Sequence, residues 1–248
     1  SISRALTEGM KEVPMQSIEK DMLEKKIIDL EAKNNSLMVN PHFLFNTLNC
    51  IARIAYFEHA PKTEELIYYL SDLLRYNVQN GQSLHTIQAE LDNIEKYLYI
   101  QKARFQSRLQ YSINVPEHIR SCRIPNMVLQ PVVENAILHG IEPLGVDSTI
   151  YIKAWKEEKD CIIEISDAGQ GMSEEDLKVI TDRLHGKVEA SLGKGGIGLK
   201  NVHDRIGLEF GSQYGLTVYT RQSCYTKVRI RLPEKRLILA QAGVTGGK

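Results

Sequence analysis

The hydrophobic period of this chain changes once, near residues 108–111, and that change constrains the fold more than any other feature. Before it, apolar residues recur at helical spacing. Leu23, Ile27, Leu30, Asn34 and Leu37 step by four, three, four and three, the a/d spacing of a coiled coil. Asn34 falls in that seam, where a polar residue costs stability but fixes register and strand number. The alternative is a single amphipathic helix packing on its own domain. Leu66, Leu70 and Leu73 repeat the step after Pro61, and Ile87, Leu91, Ile94 and Leu98 repeat it after Gly81. Beyond the change, Tyr111, Ile113 and Val115 alternate at period two, as do Ile150, Ile152 and Ala154, and then Val228, Ile230 and Leu232. That is the mark of half-buried strands. Lys156–Asp160 reads as a polar hairpin connection. Helices are expected over about 125–140, 173–185 and 197–208, the second opened by Ser173-x-x-Asp176 in the manner of a capping box. A helical part followed by a mixed α/β part predicts two domains.

Charge and cysteine usage narrow the function. Lys and Arg number 31 and so do Asp and Glu, giving a formal net charge of 0. Such a balance argues against direct nucleic-acid binding and against an anionic membrane surface, both of which reward excess positive charge. The 4 cysteines form no C-x-x-C pair, so reduced thiols in a cytosolic compartment are expected rather than a zinc cage or a disulfide framework. No apolar run is long enough to span a bilayer. The chain opens at Ser1 rather than methionine. It therefore reads as part of something longer, with room for a membrane segment upstream.

Four segments carry the candidate chemistry. Asp167-Ala-Gly-Gln-Gly171 directly follows the apolar run Cys161–Ile165, so its glycines sit at a strand end, where backbone can approach a ligand closely. Gly193-Lys-Gly-Gly-Ile-Gly198 precedes a helical run and offers mobile amides beside a helix N-terminus, suited to phosphate. It is neither a P-loop, because Asn201 follows Lys200, nor a dinucleotide fingerprint, because Asn201 stands where the third glycine belongs. In Gln130-Pro-Val-Val-Glu-Asn-Ala-Ile-Leu-His-Gly140, Leu129, Val132, Val133, Ala136 and Ile137 make a core face and leave Glu134, Asn135 and His139 elsewhere. An asparagine oxygen suits Mg²⁺, which takes hard oxygen ligands. Last, Pro41 restarts a helix just before His42, and Asn46 lies one turn further on the same face.

Taken together and in this order, the segments resemble the sensor histidine kinases of the autolysin-regulator type, over about Leu23 to Pro233. The most specific match is Asn40-Pro-His-Phe-Leu-Phe-Asn-Thr-Leu-Asn49. Leu129–Gly140, Gly196–Asn201 with Arg205, Leu74-Arg-Tyr76 and Glu90 through Arg104-Phe105 also agree with the family. The resemblance implies a dimeric N-terminal helical bundle followed by a two-layer α/β sandwich that binds ATP, the ATPase fold of gyrase and Hsp90. It divides the chain into a coiled-coil signalling helix (1–38), dimerisation and phosphoacceptor helices (39–108), a catalytic ATP-binding domain (109–234) and a flexible tail (235–248). By the same carry-over, His42 accepts the γ-phosphoryl group with Asn46 beside it, and Asn135 coordinates Mg²⁺. Asp167 meets the adenine amino group between Gly169 and Gly171. Gly196 and Gly198 belong to a lid over the phosphates, His139 contacts the phosphate side, and Thr226 closes the adenine side. Glu134 is the candidate general base. The implied partners are a second copy of the chain and a cytoplasmic response regulator that receives the phosphoryl group on an aspartate. The implied setting is the cytoplasmic side of a bacterial membrane sensor.

Three positions depart from the family pattern. Ala168 replaces the usual asparagine of the base loop, Leu138 a frequent lysine, and Tyr225 a glycine before the threonine. They motivate a rival reading, a degenerate ATP-binding scaffold without kinase activity. A third reading is an ATP-hydrolysing conformational switch in which His42 plays no part. The heptad runs straight into Pro41, so a helix rotation could carry a signal to His42. Insertion of one residue next to Asn34 is expected to change the autophosphorylation rate sharply, and an unchanged rate counts against that route.

Overall fold

Proline opens two of the helices for the same reason. It lacks an amide hydrogen, so it costs nothing in a first turn, where that donor has no partner. Helix α1 spans Pro41–Phe57 and helix α2 spans Pro61–Gln79. The computed structural model describes residues 41–79, 84–187 and 196–234. The heptad Leu23–Leu37 and the tail from residue 235 lie outside them. Contacts divide the chain into two compact units, Ser1–Cys50 and Ile51–Lys248. In the first, the described residues are the opening turns of α1, which expose His42, Phe43 and Asn46.

The second unit continues along the chain with β1 (Leu84–Thr86), α3 (Ile87–Phe105) and β2 (Leu109–Asn114), then α4 (Glu117–Arg120) and β3 (Arg123–Pro125). Helix α5 (Leu129–Asn135) runs on into a π-helical turn, Ala136–Ile141. After it come β4 (Ser148–Glu157), β5 (Asp160–Asp167), α6 (Glu174–Leu184), α7 (Ile197–Phe210), β6 (Gly215–Arg221) and β7 (Tyr225–Pro233). The strands form a five-stranded sheet in the order β2-β4-β5-β7-β6, and β1 and β3 form a separate antiparallel pair. Only β2 and β4 pair in parallel in the larger sheet. Their connection contains α4, β3 and α5, the kind of long crossover that parallel strands require. The expected two-layer α/β architecture with helices before it is what is found.

Local signals act as expected. Ser173 caps α6 by accepting from the Asp176 amide at 3.1 Å, and its hydroxyl donates to the Asp176 carboxylate at 2.7 Å. The β4–β5 hairpin closes through Glu158 and Lys159, with Glu157 paired to Asp160 and Glu158 in the left-handed region at φ 55°.

Helix α3 carries the main structural surprise. Its inward residues Ile87, Leu91, Ile94 and Leu98 are all at most 1% exposed. They join one core with Leu109, Val132, Ile137, Ile150, Ile152, Ile163, Ile165 and Ile230. The hydrophobic period changes at 108–111, but the packing there is continuous, because an amphipathic helix carries the same 3.6 period whichever body its stripe faces. Ile94→Ala is expected to cost about 3 kcal/mol, as is usual when a large aliphatic side chain is removed from a full core. Loss of sheet signal and loss of α3 helicity should occur in one thermal transition. Two separate transitions would mean that α3 is not part of this core.

Candidate functional site

Strand β5 ends at Asp167, and everything around that carboxylate is built to come close to it. In the antiparallel ladder with β7, Asp167 stands opposite Thr226. Its Oδ1 accepts from the Gly169 amide at 3.0 Å. A side chain at Gly169 would begin 2.3 Å from Asp167 Oδ1 and 2.4 Å from the Gly140 carbonyl oxygen. One at Gly140 would likewise begin 2.3 Å from Asp167 Oδ1. Glycine is required at both places because three segments converge on one carboxylate.

Asp167 is 3% exposed. Burial raises its pKa to about 6, against the opposing pull of the Gly169, Asp167 and Thr226 backbone amides. It lies in the wall of a cavity of about 220 Å³ that also takes in Asn135, His139, Gly171, Gly196 and Thr226. The apolar part of that wall comes from Val132, Ile165, Met172, Val179, Leu199 and Val228. A few polar groups set among apolar side chains are the usual make-up of a small-molecule site.

The polar groups are held individually. Asn135 donates through Nδ2 to the Pro131 carbonyl at 2.7 Å, which leaves its hard oxygen to serve as a ligand. His139 is exposed, and its carbonyl accepts from Gln170 Nε2 at 2.9 Å. The Gln170 amide donates to the Gly140 carbonyl at 3.1 Å. Gln170 thus ties the base loop to the end of the α5 segment. Gly171 has φ +64°, and Gly196 caps α7 at φ +80°. The amide of Met172 donates to Thr220 Oγ1 at 2.9 Å, and that hydroxyl lies 3.4 Å from Thr226 Oγ1.

Most of the residues singled out from sequence gather here, with four exceptions. Gly198 does not line the cavity but stands behind Asn135, where an added Cβ would lie 3.7 Å from its Nδ2. Glu134 faces away from it. Its Oε1 accepts from Gln130 Nε2 at 2.8 Å, and Gln130 Oε1 accepts from Asn93 Nδ2 at 2.8 Å. Consecutive residues of a helix point about 100° apart, and the turn that puts Asn135 and Ala136 in the wall carries Glu134 to the side of Gln130. His42 and Asn46 belong to the first unit, where Asn46 Nδ2 lies 3.4 Å from both ring nitrogens of His42. Residues 188–195, which include Gly193 and Gly195, are outside the described residues.

None of the three departures lines the cavity. Ala168 and Tyr225 line a recess with Tyr151, Lys153 and Lys227 on the opposite face of the sheet. The ladder at Asp167 and Thr226 is regular despite Tyr225. Leu138 is 49% exposed and lies outside the cavity wall. Sequence reasoning missed Gln170, Gly140 and Thr220 as parts of the site. Gly140 had a signal, since it ends the Asn-x-x-x-His-Gly run. Thr220 had none, because only the β6–β7 pairing brings it near.

Sequence comparison places two stretches of the chain beside known families. Residues 30–109 match the family model "Histidine kinase", and residues 124–236 match "Histidine kinase-, DNA gyrase B-, and HSP90-like ATPase". Sensor histidine kinase YesM of Bacillus subtilis is 33% identical over 236 residues, covering 94% of this chain and 38% of its own. Sensor histidine kinase BtsS of Escherichia coli is 32% identical over 236 residues, covering 94% and 39%. The chain thus spans under two fifths of the length of these relatives. Among solved structures, the histidine kinase domain of the Erythrobacter litoralis EL346 blue-light activated histidine kinase aligns at TM-score 0.44 and 14% identity, covering 75% of this chain and 85% of that one.

The raised pKa of Asp167 fixes the sign of a pH effect. A carboxyl at about 6 when folded, against 3.8 as its ordinary value, favours the folded protein most at low pH. That contribution is lost as pH rises through 6. The ionised group then costs the fold about 3 kcal/mol. Asp167→Asn is therefore expected to melt several degrees higher than the unsubstituted protein at pH 7.5 and to lose most of that advantage by pH 4.5. A melting difference independent of pH would contradict the assignment.

Proposed function

With residues 30–109 belonging to the histidine kinase family and residues 124–236 to the ATPase family of histidine kinases, DNA gyrase B and HSP90, we propose that this chain is the kinase region of a two-component sensor of the autolysin-regulator type. It would autophosphorylate on His42 from ATP and pass the phosphoryl group to an aspartate of a response regulator. The observation that carries the reading is the cavity itself. One buried carboxylate, one oxygen-presenting asparagine and a helix-capping glycine are drawn from separate segments into a single wall.

The fit to ATP rests on chemistry the wall supplies. Asp167 Oδ2 accepts from the 6-amino group of adenine in a pocket whose glycines leave room only for backbone. Ile165, Met172, Val179, Leu199 and Val228 supply apolar surface for the base, and Thr226 borders it. Asn135 Oδ1 would hold Mg²⁺, which when bound would supply positive charge against the phosphates. His139 and Gly196 attend the phosphate side. Positioning and charge neutralisation carry most of such a transfer. In the step itself a ring nitrogen of His42 bonds to the γ-phosphorus, the bond from that phosphorus to the β–γ bridging oxygen breaks, and ADP leaves. The imidazole releases its proton. Neutral imidazole is a competent nucleophile near pH 7. Glu134, engaged with Gln130, has no part in this scheme.

The helical region from 39 to 108 supplies the acceptor and the contact with a second copy. The apolar side chains exposed on α1, Phe43 at 64%, Ile54 at 50% and Phe57 at 76%, support dimerisation. In this reading the region works on the cytoplasmic side of a sensor, and the sensing part belongs to the rest of a longer parent. Among the described residues no helix is long and apolar enough to cross a membrane.

Incubation with γ-labelled ATP and Mg²⁺ is expected to put acid-labile label on the protein. His42→Gln should abolish the label while leaving ATP affinity within about twofold. Binding without label would favour a scaffold, and free phosphate without phosphoprotein a hydrolytic switch.

A further inference from the structure

Glu90 lies outside the cavity, yet it grips the element that carries Asn135. It is 1% exposed. Its Oε1 accepts from the Met127 amide at 2.8 Å, and its Oε2 accepts from the Val128 and Leu129 amides at 3.1 Å each. These are three consecutive donors at the start of α5, where no intrahelical acceptor exists for them. A fourth bond comes from α2, whose Tyr76 hydroxyl donates to Glu90 Oε1 at 2.5 Å. Met127 is in the left-handed region at φ 54°, a conformation that a bulky residue keeps only where its surroundings impose it. The preceding carbonyl, of Asn126, accepts from Arg205 Nη1 on α7 at 2.6 Å. One turn after Glu90 on α3, Asn93 holds Gln130. The turn before α5 is thus the place where α2, α3 and α7 all take hold of the helix that presents Asn135.

We propose that Glu90 is a positioning residue for the metal–phosphate end of the nucleotide site, setting α5 and hence Asn135, and that the Tyr76 hydroxyl couples that setting to helix α2. This rests on the nucleotide reading above. Asp167 is carried by β5 and held in register by β7, and the α5 segment meets it only beyond Asn135, at Gly140. A loosened turn at 126–129 therefore disturbs Asn135 and leaves the adenine end in place. The signature of Glu90 is a loss confined to binding that involves Mg²⁺. A residue that only supported the fold would weaken both ends together.

The test is calorimetric titration of the full chain with ATP, once in Mg²⁺ and once in EDTA. Glu90→Gln is expected to lose about tenfold in affinity in Mg²⁺, the scale on which outer supporting groups act on metal ligands, and less than about twofold in EDTA. Asn135→Ala should show the same selective loss, and the double variant should add little to either. Tyr76→Phe should move in the same direction by a smaller factor. Equal losses in Mg²⁺ and EDTA, or no loss in Mg²⁺, overturn the assignment. If Glu90→Gln fails to fold, Tyr76→Phe decides alone: a loss selective for Mg²⁺ supports the coupling, and unchanged affinity overturns it. If the unsubstituted protein binds no ATP in either buffer, the nucleotide reading itself falls and takes this assignment with it.

Discussion

The register between β5 and β7 is the constraint on which the site depends. Their ladder sets Ile163 opposite Ile230, Ile165 opposite Val228, and Asp167 opposite Thr226, all on the side facing the helices. A slip of one residue would turn Tyr225 or Lys227 inward and Thr226 out, since strand side chains alternate between faces. Two kinds of interaction hold the register. The inner pairs are nearly fully buried and supply most of the free energy, at about 25 cal/mol for each Å² of apolar surface removed from water. The outer face supplies discrimination. Arg229 Nε donates to Glu164 at 2.8 Å with its guanidinium over the rings of Trp155 and Tyr219, and Arg231 Nε donates to Asp160 at 2.6 Å. Partly exposed ion pairs of this kind contribute no more than about 1 kcal/mol each. A slipped ladder would lose them and also set charge against apolar neighbours.

That register delivers a carboxylate to a place where folding alone would not put one. The cleft around Asp167 is lined mainly by aliphatic side chains, and the backbone amides that meet the carboxylate only partly offset the loss of water. A carboxylate that keeps its charge at neutral pH in such a place is a poor structural element and a good hydrogen-bond acceptor for a ligand donor. Gly140 and Gly169 sharpen the contrast. A methyl group at either would collide with the Asp167 carboxyl, so the chain gives up side-chain packing at two points to let backbone close around it. Stability is surrendered at the position where ligand chemistry gains.

Much of this was legible in the sequence, and the parts that were not share a cause. The glycine segments, the Asn135 segment and the histidine motif are local in the chain, so spacing and residue type reveal them. Strands β2, β4 and β7 announce themselves by alternation, and β5 by its apolar run. What stayed hidden depends on which residues face each other across elements. Helix α3 reads as helical from its period, but the period is silent about its partner, and only the core shows that Ile94 packs with the sheet. The consequences of Ala168 and Tyr225 depend on the pleat, which turns both away from the cavity. Glu134 and Asn135 are neighbours in sequence, and the helical rotation between them puts one in the wall and sends the other to Gln130. Thr220 reaches the site only through the β6–β7 pairing, and β6 itself, opening on Gly215 with its own positive φ, offered too short an alternation to stand out.

The turn before α5 shows how strain and compensation are arranged away from the chemistry. Holding a methionine in the left-handed region costs on the order of 1–2 kcal/mol. A hydrogen bond to a charged group contributes about 1.5–3 kcal/mol, and Glu90 accepts three from consecutive backbone amides there. The carboxylate is therefore strong enough to impose the conformation. Arg205 then fixes the carbonyl on the other side of Met127 at Asn126. With both neighbouring peptide groups tied to charged side chains from different helices, the strained residue cannot relax without breaking a charge-assisted bond. A helix held at its start in this way has one preferred setting. The orientation of Asn135, a turn and a half further on, follows from contacts that lie outside the cavity it serves.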